Sequence, residues 1–264
     1  MIINIHAHLE DDQDVDQRVE HYRAPDMARV VLCGNNASVK QAFERYPDFV
    51  IGFAFVLLGK DRPEVVERFN EEGFRGLKMT TPAASYDSQE FYPFYDKAQR
   101  LGMPILFHTG FLRALTPLKV FWMHPLCLDT LARAFPELKM IGAHLGSPWF
   151  REACAAADHH RNVYFDLAGS QLRAMPLSFF KELFKYRSVG APTDEPRGDR
   201  HRLFEESINM HLLGKFCFGS DTPAPEIMME FHRDLHQALG VPKEVEERIW
   251  WRNAAEILGL EELL

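Results

Sequence analysis

Two histidines one residue apart, His6 and His8, close a short apolar run near the start of the chain. On an extended strand, residues i and i+2 face the same way about 6.5 Å apart, a separation that two imidazoles can span to one cation. Histidine occurs 12 times in 264 residues. At that frequency chance supplies on the order of half an H-x-H per chain, so the pair alone decides little. Other apolar runs end in the same way. His108 follows PILF and precedes TG, His144 follows IGA and precedes LG, and Asp221 follows FGS and precedes TP. A four-residue window holds a histidine by chance about one time in six, so repeated hits at run ends argue for a shared cause. Lys78, in the run GLKM, is costly to bury unless it is paired or modified.

What could bring these ends together is read from the elements between them. Short β-branched apolar runs alternate with longer helical patterns from end to end, the signature of a parallel sheet. The strand candidates are residues 2–8, 28–34, 49–57, 74–79, 103–108, 138–144, 162–167 and 216–221. Their near-continuous hydrophobicity fits burial on both faces. Helices are expected from Asp61 and Pro63 to Gly73, over residues 92–100 before Gly102, over 126–135 before Pro136, and over 225–239 and 242–258 on either side of Gly240. The longest connection, residues 169–215, reads as two helical stretches separated by a loop over 188–200, a long insertion after strand 7 that would lie over one end of the sheet.

Eight such units could close as a barrel or lie open as a doubly wound sheet. No G-x-G-x-x-G follows the first strand, and the polar strand ends are spread along the whole chain, which favours an α/β fold of the (β/α)8 TIM-barrel type. Its parallel strands bring their C-terminal ends to one rim, where catalytic groups gather. Imidazoles and a carboxylate at that rim form a cation site. The length suits this fold, and no shift in composition marks a boundary, so residues 1–264 read as a single domain.

With 46% hydrophobic and 26% charged residues the chain reads as globular, and a net charge of -8 disfavours nucleic acid or an anionic membrane as partner. The four cysteines form no C-x-x-C pair, and Cys33 and Cys217 lie in apolar runs as buried small hydrophobes. A cytoplasmic location is expected from this cysteine usage and from the lack of a leader-like or membrane-spanning stretch.

The array resembles the amidohydrolase superfamily, and in particular its amidohydrolase-related branch of metal-dependent hydrolases and non-oxidative decarboxylases. The segments that carry the likeness are INIHAHL at 3–9, GFRGLKM at 73–79, GMPILFHTG at 102–110, FP at 135–136 with IGAHLG at 141–146, FGSD at 218–221 and NAAEILG at 253–259. The resemblance implies a (β/α)8 barrel with a divalent metal, usually zinc, held by His6, His8, His108 and Asp221. It also implies a catalytic or second-metal role for His144. In members with two metals, a lysine on the fourth strand carries a carboxylate bridging both ions, and Lys78 matches that strand; single-metal sites are common in this branch. Two positions depart from the pattern: Asn4 stands where Asp is frequent, and Thr222 where an aromatic residue often follows the aspartate.

A bound divalent ion lowers the pKa of its water from about 15.7 to near 7 and polarises a substrate oxygen. On this reading Asp221 is both ligand and general base, and His144 orients water or stabilises the developing oxyanion. The rivals are decarboxylation at the same site, a Schiff-base lyase using Lys78, and a barrel without catalysis. Beyond the strand ends come Phe111, Arg113 and Lys119, then Trp149 and Arg151, then Arg173. Arg113, Arg173 and Trp149 are the candidate substrate contacts, since a guanidinium above an apolar wall suits a small carboxylate-bearing lactone, amide, ester or aromatic acid. The remaining histidines, among them His124, His201, His232 and His236, read as structural or exposed. Phe231, Ile249 and Trp250 read as core or as contacts between subunits, with homo-oligomerisation left open.

Overall fold

Apolar runs such as VVLC and IGFAF have no solvent-compatible face and must be covered on both sides. In the computed structural model, which describes residues 1–11, 13–112, 118–189 and 204–263, they form the staves of a parallel barrel. The strands are β1 (Ile2–Leu9), β2 (Met27–Gly34), β3 (Val50–Val56), β4 (Gly76–Met79), β5 (Ile105–Phe107), β6 (Met140–Gly142), β7 (Val163–Asp166) and β10 (Phe216–Cys217), hydrogen-bonded in that order. The ring is closed by main-chain bonds from Ile5 N to Phe218 O (2.9 Å) and from Asp221 N to His6 O (2.8 Å). Ala7 and Asp221 pair in parallel at this seam.

The helices are α1 (Val15–His21), α2 (Asn36–Arg45), α3 (Val65–Glu71), α4 (Tyr92–Arg100), α5 (Cys127–Ala134), α6 (Phe150–His159), α7 (Ser170–Arg173), α8 (Leu177–Phe184), α9 (Met210–Leu213), α10 (Pro225–Leu239), α11 (Lys243–Glu247) and α12 (Asn253–Leu258); most cover the outside, while α7 lines the cavity and α12 packs on the residues that fill the barrel. Residues 92–100 and 225–239 are helical as expected. The last expected helix is continuous, but a π-helical turn over Arg248–Arg252 joins α11 to α12. Among the described residues no helix is long and apolar enough to cross a membrane.

The insertion after β7 differs from its reading as two helical stretches around a loop. After α7 and α8 the chain forms an antiparallel pair, β8 (Lys185–Val189) with β9 (Phe204–Ile208), before α9. The centre of the expected loop and His201 lie outside the described residues.

Two apolar layers result. Val30, Leu32, Ile105, Phe107, Val163 and Phe165 point outward under the helices, while Ile3, Ile5, Val31, Ile51, Phe53, Leu106 and Tyr164 fill the barrel. Strict alternation would turn His6 and His8 outward with Asn4, since Ile3 and Ile5 point in. A bulge prevents this. Asn4 pairs with Val30 and Ala7 with Leu32, so β1 spends one residue more than β2 over that step. A bulge of this kind re-aims the side chains beyond it. Here it sends Ala7 and Leu9 out and His6 and His8 in. Asn4 holds the irregular backbone: its Oδ1 accepts from His6 N (3.2 Å) and Ser220 N (3.1 Å), and its Nδ2 donates to Ser220 Oγ (2.8 Å). Asn4 therefore acts on the site through the backbone that carries His6.

Helix α10 buries two histidines one turn apart. His232 is 0% and His236 3% exposed, packed on Phe218, Phe231 and Trp250. Their ring nitrogens have no hydrogen-bond partner among the described residues. Burial depresses the pKa of His232, His236 lowers it further and Asp166 opposes them. Glu246 Oε1 lies 3.4 Å from His236 Nδ1 but out of hydrogen-bonding alignment, so burial decides and depresses His236 to about 4. The unfolded ring gains its proton near 6.5 while the folded ring stays neutral, so stability present above that pH is lost as the pH falls toward 4. At about pH 5 the loss from His236 alone is on the order of 2 kcal/mol. Urea unfolding at pH 7 and pH 5 should therefore show a smaller pH effect in His236→Phe than in the parent; an equal drop in both would refute the assignment.

Candidate metal centre

The strand ends place their polar side chains in one layer above the apolar filling of the barrel. His6, on β1 after the bulge, is fully buried. Its Nδ1 lies 2.8 Å from Asp166 Oδ2, at the end of β7, which leaves Nε2 facing the rim. There His8 Nε2 stands 3.0 Å away and Lys78 Nζ, from β4, also 3.0 Å away. Asp221 Oδ1 lies 3.3 Å from His8 Nε2 and 3.8 Å from His6 Nε2. Two nitrogens bound to one tetrahedral zinc at ~2.05 Å sit about 3.3 Å apart. The spacing of these donors fits one cation.

His144 adds a third side of the cluster. Its donor atoms and those of His6 and Asp221 all lie within 4.8 Å of one another. The residue has a left-handed backbone (φ 61°), as does Asp221 (φ 62°), a conformation that costs energy in non-glycine residues and collects at functional sites. Each is pinned by its own N–H, His144 N donating to Asp166 Oδ1 (2.8 Å) and Asp221 N to His6 O (2.8 Å). His144 Nδ1 lies 3.0 Å from Ala168 O. The following Gly169 has φ +106°, and a Cβ there would stand 3.1 Å from His144 Nδ1.

His108, the end of β5, sits ring to ring with His144 at 5.0 Å, but its Nε2 lies 3.3 Å from Phe111 O, and it joins neither of the donor clusters found among the described residues. The second of those clusters is His6, His8 and Cys33. Burial, reinforced by Lys78, depresses the pKa of His6 and keeps its ring neutral. Burial likewise depresses His108. For His8 burial is outweighed by Cys33 and Glu10, which raise the ring to about 10, so a cation bound at its Nε2 would displace a proton. Burial would raise Asp221, but His6, His144 and His8 outweigh it and hold the carboxyl below its ordinary value.

Beside the cluster opens a cavity of about 160 Å³ whose walls include His108, Phe111, His144, Ser147, Gln171 and Asp221. Trp149 and Arg173, expected as substrate contacts, are not among the lining residues. Trp149 instead packs against Phe111, Phe121 and His124, with only Phe111 reaching the cavity. Arg113 lies outside the described residues. Among the described lining residues there is no lysine or arginine, and Ser147, Ser170 and Gln171 offer neutral hydrogen-bonding groups.

Two residues at the site escaped the sequence reading. Asp166 ends β7 in the run VYFD, the same strand-end signal that picked out Asp221, and it also accepts from Ala168 N at 3.0 Å. Cys33 was read as buried core, and it is fully buried, but against His8.

The amidohydrolase family model matches residues 3–260. The chain belongs to the amidohydrolase family. Among curated proteins it is similar to a dihydroorotase of Helicobacter pylori (strain P12), 31% identical over 193 residues, which make up 64% of this chain and 50% of the relative. The chain thus spans about half the length of the curated relatives it matches. Among solved structures it is similar to an uncharacterized TIM-barrel protein from Bordetella bronchiseptica, at 17% identity and TM-score 0.70 over 98% of both chains. It is also similar to 5-carboxyvanillate decarboxylase from Sphingomonas paucimobilis, at 13% identity and TM-score 0.60 over 98% of both chains. These structural likenesses are likenesses of fold.

Proposed function

We propose that the protein hydrolyses an acyl bond, amide, ester or lactone, in a small substrate, using one divalent cation, zinc by the nature of the donors, held by His6, His8 and Asp221. The observation that supports this reading most is the convergence of His6 Nε2, His8 Nε2 and Asp221 Oδ1 at separations of 3.0 to 3.8 Å. When bound, the cation lowers the pKa of a water and polarises the substrate oxygen. The chain does the rest. Asp221, held anionic by the histidines around it, accepts the proton of the attacking water and later returns it to the leaving atom. His144, fixed on the Ala168 carbonyl through Nδ1 and lining the cavity, presents its other ring nitrogen as an acceptor that orients that water. Asp166 holds the Nδ1 proton of His6 so that Nε2 keeps its lone pair for the cation. His108 lines the cavity in this reading and belongs to neither donor cluster. Lys78, at 3.0 Å from His6 Nε2, would reach a second ion if one is held.

The substrate is a small molecule whose body rests on Phe111, Leu112 and Leu172 and whose polar end is met by Ser147 and Gln171. Ring-opening of a cyclic amide of the dihydroorotase type is the first reaction to assay, because the curated relatives carry that name. Turnover should vanish after dialysis against a chelator and return with added zinc; turnover surviving chelation would refute the proposal. Carbon dioxide release from an aromatic acid, in place of hydrolysis, would assign the same residues to decarboxylation.

A further inference from the structure

We propose that Cys33 is a thiolate ligand of the cation held by His6 and His8, which gives the centre a soft donor. The inference rests on the metal-dependent reading above and concerns a residue that reading does not use. Strand β2 lies beside β1 with Cys33 directly opposite His8 in register. Side chains paired in this way on parallel neighbours project from the same face, here into the barrel mouth. Cys33 Sγ stands 3.8 Å from His8 Nε2, and the donor atoms of His6, His8 and Cys33 all lie within 4.8 Å of one another. Zinc bonds of ~2.05 Å to nitrogen and ~2.3 Å to sulfur at a tetrahedral angle place N and S about 3.6 Å apart. The separation of the sulfur from the His8 ring nitrogens, 3.8 Å to Nε2 and 3.9 Å to Nδ1, is close to that value.

The alternative is a thiol that merely fills space, its S–H turned to Ala7 O at 3.3 Å. Such a bond is weak, and nothing about packing requires sulfur in that place. Below Cys33 the barrel is filled by Val31, Ile51 and Phe53, an apolar floor on which an uncompensated thiolate would be costly. Ionisation is therefore tied to cation binding: the S–H bond breaks, the sulfur–metal bond forms, and the proton passes to solvent. A sulfur donor shifts preference toward zinc, cobalt or cadmium and away from magnesium and manganese. Cys127, Cys154 and Cys217 belong to neither donor cluster.

The test is the absorption spectrum of the protein loaded with Co²⁺ in place of its native ion. Ligand-field bands in the visible report binding by the histidines and Asp221, and a sulfur-to-cobalt charge-transfer band in the near ultraviolet reports the thiolate. The parent protein should show both. Cys33→Ser should keep the visible bands, lose the charge-transfer band and bind Co²⁺ roughly tenfold or more weakly. Visible bands without charge transfer in the parent would overturn the inference and leave the metal site standing. No visible bands at all would overturn the metal site itself. Should Cys33→Ser fail to fold, Cys33→Ala is read by the same two bands: the charge-transfer band should vanish while the visible bands stay, and a charge-transfer band that survives would refute the ligand.

Discussion

Asp221→Asn should reduce kcat by roughly 10³-fold while the protein remains folded. The substitution keeps the shape of the side chain and removes its charge and its capacity to take a proton. Both matter at this position. The carboxylate lies 3.3 Å from His8 Nε2 and is held anionic by the surrounding rings, so it is available as ligand and as base at once. General-base removal accounts for about 10² to 10⁴ in rate, and the weaker metal grip adds to it. Because Asp221 N continues to bond His6 O, the closing seam of the barrel survives and the loss should fall on kcat more than on stability. Steady-state kinetics at saturating zinc check this, and a variant retaining more than about a tenth of parental kcat would remove Asp221 from the base role.

Asp166→Ala should be the most damaging change for the architecture of the site. One buried carboxylate serves three donors, His6 Nδ1, His144 N and Ala168 N, at 2.8, 2.8 and 3.0 Å. Truncation leaves all three in a site that water does not reach, since Asp166 is 0% exposed. Leaving a buried donor without its partner costs about 1 to 3 kcal/mol each. The orienting bond to His6 is lost as well, which should weaken metal affinity by roughly 10- to 100-fold. Urea unfolding and zinc titration read the two effects separately. Asp166→Asn, which can still accept one or two of these bonds, should recover part of the stability but less of the affinity. A variant of wild-type stability and affinity would show that the network is idle.

The barrel was legible because the strands are nearly continuous apolar runs and several helices are punctuated by proline or glycine. Tyr92–Arg100 and Pro225–Leu239 are bounded by glycine at their ends, and both are helical over the expected residues. The rim was legible because a histidine or aspartate ending an apolar run has little other reason to be there. What the residues concealed depends on three-dimensional relations. The bulge at Asn4–Ala7 changes which face His6 and His8 occupy and leaves no mark in a run of buried residues. Lys185–Val189 and Phe204–Ile208 carry charged and apolar residues without strict alternation, and each finds its strand partner only far along the chain. Cys33 reads as core from its neighbours Val31 and Leu32, because burial and proximity to a donor cluster give the same local text. Arg173 and Trp149 follow strand ends, Trp149 just before α6 and Arg173 at the end of α7, and neither is among the residues that line the cavity. His232 and His236 share the buried face of α10 with Phe231 and Leu235, so the helical period alone places them inside.

The central claim is that the strand ends hold a divalent cation. Its most direct test is the metal content of the protein purified without added metal and exchanged into metal-free buffer, compared with a His6→Ala, His8→Ala double variant treated in the same way. The parent should carry about one equivalent of zinc, with a second ion only if a carboxylated Lys78 bridges, and the variant less than about a tenth of an equivalent. A folded parent that carries no divalent metal and takes up none from a zinc solution would contradict it.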